Sequence, residues 1–167
     1  MATSSIVVPN NQIRGAYPQG IADDLNAVAA SAVADLGKVA FDVKAAIGFA
    51  TANAAVLYTV PALAAGQRLR VNRVWWEITT PFTGGAASAI GVSTTDALYN
   101  TKGDLLGGAT GDVAATLVTG FQGGTLGAKF GANGIVVLVP GDVVRFDQIT
   151  SAFTAGAGFV HISFEVV

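Results

Sequence analysis

The chain has no cysteine, a single histidine, His161, and only two glutamates, Glu77 and Glu165. Without cysteine there are no disulfides, no thiolate nucleophile and no sulfur ligand for a metal. One histidine cannot build a multi-histidine site, and no His/Asp/Glu grouping has metal-ligand spacing, so neither a metal nor a cofactor is expected. Charge is also scarce: charged residues make up 12% of the 167, half the usual ~25%. Nine basic and eleven acidic residues give a net charge of −2 and no broad basic face of the kind a nucleic-acid backbone demands. Arg68, Arg70 and Arg73 cluster around one strand and leave room only for a local anion contact. Long apolar runs are missing too. The stretch from Ala45 to Gln67 is charge-free, but Gly48, Thr51, Asn53, Pro61 and Gly66 break it short of the ~20 residues of a spanning helix. The start, MATSSIVVPNNQ, has neither the basic region nor the apolar run of a signal peptide, so a cytoplasmic protein is expected.

What remains is small and apolar. Residues of the AVILMFWYC set make up 51%. Such a surface belongs either to an Ala/Gly-rich globule or to a protein covered in an assembly by its own copies or a partner. The length suits one compact domain with an appendage. Residues 1–20 hold Pro9, Asn10, Asn11, Gly15, Pro18 and Gly20 without periodicity and read as an extended arm. Ile21, Leu25, Val28, Ala32 and Leu36 then recur every three or four residues, the stripe of a short amphipathic helix that Gly37 ends. Its small residues suit a shallow groove on a neighbour, or a return onto its own domain. The division is therefore an arm and helix over 1–37 and a body over 38–167.

The body is expected to be mainly β. In KVAFDVK (38–44) apolar residues alternate, although a helix continued through Ile47 fits nearly as well. Further strands are expected at 55–60, 68–79, 87–93, 113–118, 134–139, 142–150 and 158–166, separated by Gly/Asn/Asp/Ser/Thr-rich connections. Eight short strands with turn signals between them predict a jelly roll or β-sandwich. YTVPALAAGQRLRV and VLVPGDVVRF echo each other and predict two hairpins turning after Val-Pro. In the last strand Val160, Ile162, Phe164 and Val166 form the core face; Phe159, His161, Ser163 and Glu165 form a wet or partner-facing one.

Catalytic chemistry finds little footing. His161, Ser163 and Glu165 alternate on one face of one strand, without the elbow or oxyanion loop of acyl transfer. GGTLGAKFG (123–131) matches no phosphate-binding pattern. GDLLGGATGD (103–112) sets Asp104 and Asp112 around glycines without the spacing of a calcium loop, and reads as a surface turn. It lies in a connection of roughly twenty residues, a length that points to a functional or bound loop.

Recognition by surface is left, and the tandem Trp75-Trp76 is its clearest candidate. Apolar parity shifts along RLRVNRVWWEIT, from Leu69 and Val71 to Val74, Trp76 and Ile78, which predicts a bulge near Asn72-Arg73. Beyond it Trp76 enters the core and Trp75 faces outward with Arg73 and Glu77. Trp75 is then either an interface anchor or a ring covered by the N-terminal segment or a long loop. The candidate interface residues are Arg73, Trp75 and Glu77, with Ile21, Leu25 and Val28 of the helix.

The stretch ANAAVLYTVPALAAGQRLRVNRVWWEITTPFTGGAASAIGVSTTDALYNTKGDLLGGATGDVAATLV resembles small tailed-bacteriophage virion proteins of the capsid decoration, or cement, type. The likeness covers roughly residues 50–167 and lies in overall strand-and-loop texture, not in a chemically diagnostic motif. It implies a β-rich structural protein, not an enzyme. It would sit on the capsid exterior as a dimer or trimer and bridge neighbouring major capsid proteins after assembly in the host cytoplasm. The other reading of exposed aromatics and long loops is a receptor- or glycan-binding tip domain of a phage fibre.

Overall fold

The computed structural model describes residues 39–167, save for 86, 128, 131–133 and 151–152. The arm and helix expected over 1–37, with Ile21, Leu25 and Val28, lie outside the described residues. The described chain is mainly β and forms a sandwich of two antiparallel sheets. Its strands are β1 (Ala40–Gly48), β2 (Ala55–Thr59), β3 (Leu69–Gly84), β4 (Ala89–Thr94), β5 (Asp112–Val113), β6 (Gly120–Gln122), β7 (Val136–Leu138), β8 (Val143–Thr150) and β9 (Phe153–Val166). One sheet runs β1-β9-β3-β6, with β7 also paired to β3; the other runs β2-β8-β4-β5. Strands adjacent in sequence mostly fall in opposite sheets, so the core forms between the sheets from non-local contacts.

Alternation decides which side chains enter it. On β9, Val160, Ile162 and Phe164 are fully buried while Phe159, His161 and Ser163 between them are half-buried. On β1 the alternation extends through Ile47, which is buried in the strand, so the helical option there is excluded. On β3 the pairing with β9 slips between Val71 and Arg73, the bulge that the parity shift required. Tyr58 of β2 meets Phe164 of β9 at 4.9 Å between ring centroids, and Phe41 of β1 at 6.2 Å, closing one side of the sandwich.

Three expectations are corrected. The two Val-Pro turns are not hairpins. β2 and β3 lie in different sheets, as do β7 and β8, so each turn carries the chain across the sandwich. The two corners hold each other: the Val60 N–H donates to Asp142 O (2.8 Å) and the Gly141 N–H to Val60 O (3.0 Å). Residues 113–118 form only the end of β5 and a 3-10 turn, Ala114–Thr116, which delivers Leu117 to the core. The segment 103–112 is not a surface turn: Asp104, Leu105, Leu106 and Asp112 are buried, and Leu106 bridges Val92 to Leu126. The long connection is thus core material, with two leucines each worth about 1.5–3 kcal/mol of burial.

Candidate interaction face

The five-stranded sheet turns one face to the core and the other outward, and the outward face carries the predicted Arg73, Trp75 and Glu77. Sheet register brings further side chains to them. Trp75 sits opposite His161 of β9, which in turn sits opposite Lys44 of β1; Glu77 lies between Phe159 of β9 and Phe121 of β6. Residues distant in sequence therefore form one tile.

Glu77 organises its charges. Its Oε2 lies 2.7 Å from Lys44 Nζ and 2.7 Å from His161 Nε2. The hydrogen bond from Lys44, and after it that from His161, hold the Glu77 carboxyl below its ordinary range. The Lys44 ammonium also rests 3.9 Å from the centre of the Phe159 ring.

The aromatics are equally ordered. The rings of Trp75 and His161 stack with centroids 5.1 Å apart and planes 11° from parallel, while Arg73 places its guanidinium carbon 5.0 Å from the Trp75 ring. Phe121 approaches His161 at 6.0 Å and remains 71% exposed. Trp75 is thus half-buried by its own sheet neighbours. The imidazole of His161 is used up between Glu77 and Trp75, and Glu165 pairs instead with Arg70, so the three alternating residues of β9 make no triad. Phe159 was placed on this outward face by alternation along the last strand, whereas Lys44 and Phe121 were not singled out from sequence, because only sheet register brings them to it.

Trp76, one residue along, points the opposite way and is fully buried. Its indole N–H donates to Asp112 Oδ2 at 2.7 Å, and the same carboxylate accepts the Thr125 backbone N–H at 3.0 Å. A pocket of about 220 Å³ opens beside this pair, between Leu117, Gln122 and Gly124. Asp104 serves a different partner, the Thr101 N–H at 2.8 Å, so the two aspartates of segment 103–112 have separate structural duties. Among the described residues no three His, Cys, Asp or Glu side chains gather as a metal site, and no helix is long and apolar enough to cross a membrane.

The Glu77 contacts have a pH signature. A carboxylate whose folded pKa is depressed contributes stability above its unfolded pKa, about 4.5, and loses it as pH falls through the folded value. Asp147 acts oppositely: burial raises its pKa, so its protonation on acidification favours the folded state. Comparing wild type with Glu77→Gln separates the two. The stability difference, from urea melts, should shrink as the pH falls below about 4.5. A difference that grows on acidification would contradict this assignment.

Comparison with protein families, characterised proteins and solved structures finds no match to this chain.

Proposed function

We propose that the chain is a structural virion protein that binds the outside of a phage capsid shell and stabilises it by bridging neighbouring major capsid proteins. The observation that carries this reading is the outward tile around Trp75, in which the Trp75 and His161 rings stack and Arg73 and Phe121 flank them. Tryptophan and arginine dominate binding energy at interfaces, and side chains ordered beforehand lose little entropy on docking. The low charge content and the likeness to decoration proteins support the same reading. The order β1-β9-β3-β6 against β2-β8-β4-β5 supports describing the sandwich as a jelly roll, an architecture common in capsid proteins.

The mechanism is additive binding and needs no catalytic group or cofactor. Each copy makes a modest contact, and many identical copies on a symmetric lattice make the shell hard to open.

Trp75→Ser is the test. The isolated variant should fold, losing about 1 kcal/mol with the His161 stack and the Arg73 contact. Its rebinding to virus shells stripped of the protein, read by co-sedimentation, should weaken about 30-fold, equivalent to ~2 kcal/mol. Purified virions should carry the wild-type chain on their exterior at a copy number set by a symmetry axis of the shell. Its absence from virions, or sugar-dependent attachment to cells instead, would defeat the proposal, the latter in favour of a fibre-tip domain.

A further inference from the structure

We infer that β1 is a self-pairing edge through which two copies of this chain join their five-stranded sheets about a two-fold axis at Val43. The inference does not depend on the partner proposed for the Trp75 face.

Among the described residues, β1 pairs only with β9 and leaves its other edge open over nine residues, AFDVKAAIG, without a proline. The direction of its backbone groups follows from the register. The Phe49 N–H donates to Gly156 O at 3.0 Å, which continues the Gly48↔Ala157 register by one pair. Backbone groups alternate sides along a strand, so odd-numbered residues of β1 bond to β9. Ala40, Asp42, Lys44 and Ala46 therefore aim their N–H and C=O groups at the open edge. Gly48, the next even position, is closed off: its N–H donates to Thr51 Oγ1 (2.8 Å) and its carbonyl accepts the Thr51 N–H (3.0 Å). The available template has a definite end.

A second copy fits this template antiparallel in one register. With the axis at Val43, Ala40 faces the second copy's Ala46 and Asp42 faces its Lys44, with the reciprocal pairs completing the set. All are positions that present backbone groups to the edge, so each pair exchanges two hydrogen bonds. Each Asp42 also faces a Lys44 on the same side of the joined sheet. The Lys44 ammonium, which reaches back over β9 to Glu77 at 2.7 Å in the single copy, turns to the second copy's Asp42 when the edges pair, giving an opposite-charge pair at every charged position. Moving the axis to Asp42 or to Lys44 sets like charges opposite each other and loses a backbone pair. A lone lysine on an edge ordinarily blocks such pairing; the spacing Asp-Val-Lys converts the block into a code for one register. The same flank of the sandwich carries β2, the open edge of the other sheet, with exposed Val56, and exposed Phe49 follows β1.

The absence of cysteine makes the register directly testable in the full chain. Val43 would face its own counterpart in a pair without backbone bonds, where Cα atoms lie about 4.5 Å apart, within disulfide reach. Val43→Cys should therefore cross-link to a covalent dimer on mild oxidation. Ala45→Cys, which faces Phe41 in this register, should remain uncross-linked. In sedimentation equilibrium the wild type should dimerise, and Asp42→Lys or Lys44→Asp alone should each weaken self-association about tenfold or more. The first variant carries two cations on its edge and the second two anions, so an equimolar mixture should recover the dimer as a heterodimer. Near-UV circular dichroism and thermal melts identify any variant that fails to fold, and the Val43→Cys result stands apart from the charge variants. A wild type that stays monomeric, cross-linking at Ala45→Cys as readily as at Val43→Cys, or charge variants that associate normally would each overturn the inference.

Discussion

Trp76→Ala should leave the protein largely unfolded at room temperature. The indole is fully buried in the core between the sheets, and truncating a buried Trp or Phe to Ala costs about 3–5 kcal/mol. The change also removes the N–H that Asp112 accepts at 2.7 Å, leaving a buried carboxylate with only the Thr125 N–H, for about 1–3 kcal/mol more. The total is comparable with the ~5–15 kcal/mol by which domains are stable. Urea denaturation followed by far-UV circular dichroism should show the folded baseline lost or the midpoint sharply lowered. Trp76→Phe, which keeps a ring but not the donor, should fall between this variant and wild type. The neighbouring Trp75→Ser should keep nearly all of the stability. Equal losses at the two positions would contradict their opposite burial.

Gly103→Ala should be nearly as damaging, although it adds a single carbon. Gly103 stands at φ +76°, in the left-handed region where a side chain is strained by ~1–3 kcal/mol. Space is a second obstacle. A Cβ there would lie 2.1 Å from the Gly108 carbonyl oxygen, a backbone atom that cannot swing aside. The Gly103 N–H donates to Asp147 Oδ2 at 3.0 Å, so a shift of the segment would also strip a buried carboxylate of a donor. Strain, overpacking and the weakened hydrogen bond together should cost about 3–5 kcal/mol, read as a fall in the urea midpoint. Gly66→Ala is the control: it shares the positive φ of +85° but meets nothing within 4 Å, so only the backbone strain should remain. If Gly103→Ala loses no more than Gly66→Ala, the close packing of segment 103–112 is misassigned.

These two positions differ in how far they could be read in advance. Trp76 was legible: the parity change along RLRVNRVWWEIT required a bulge, and the bulge assigns each tryptophan to a face. Gly103 was not. A run of glycines between aspartates looks like a solvated turn, and nothing local distinguishes it from one that carries Leu105 and Leu106 into the core. The Val-Pro corners failed for a related reason. Proline and glycine mark where a chain turns, but whether it returns within its sheet or crosses to the other depends on strands far away in sequence.

The interaction face divides in the same way. Arg73, Trp75 and Glu77, and the outward placement of Phe159 and His161, follow from alternation on single strands, whereas Lys44, Phe121 and the engaged state of His161 follow from register between four strands.

By itself, then, the sequence determined the β character, most strand positions, the bulge in β3 and which tryptophan is buried, because a period of two and a change in its phase are local properties. The tertiary structure alone decided the pairing of β1, β9, β3 and β6, the crossing of the two proline corners, the burial of segment 103–112 and the assembly of the Trp75 tile. Each of these depends on which distant strands pair and in what register. Pairing is settled by the joint burial of both sheets' apolar faces, and no single segment encodes it.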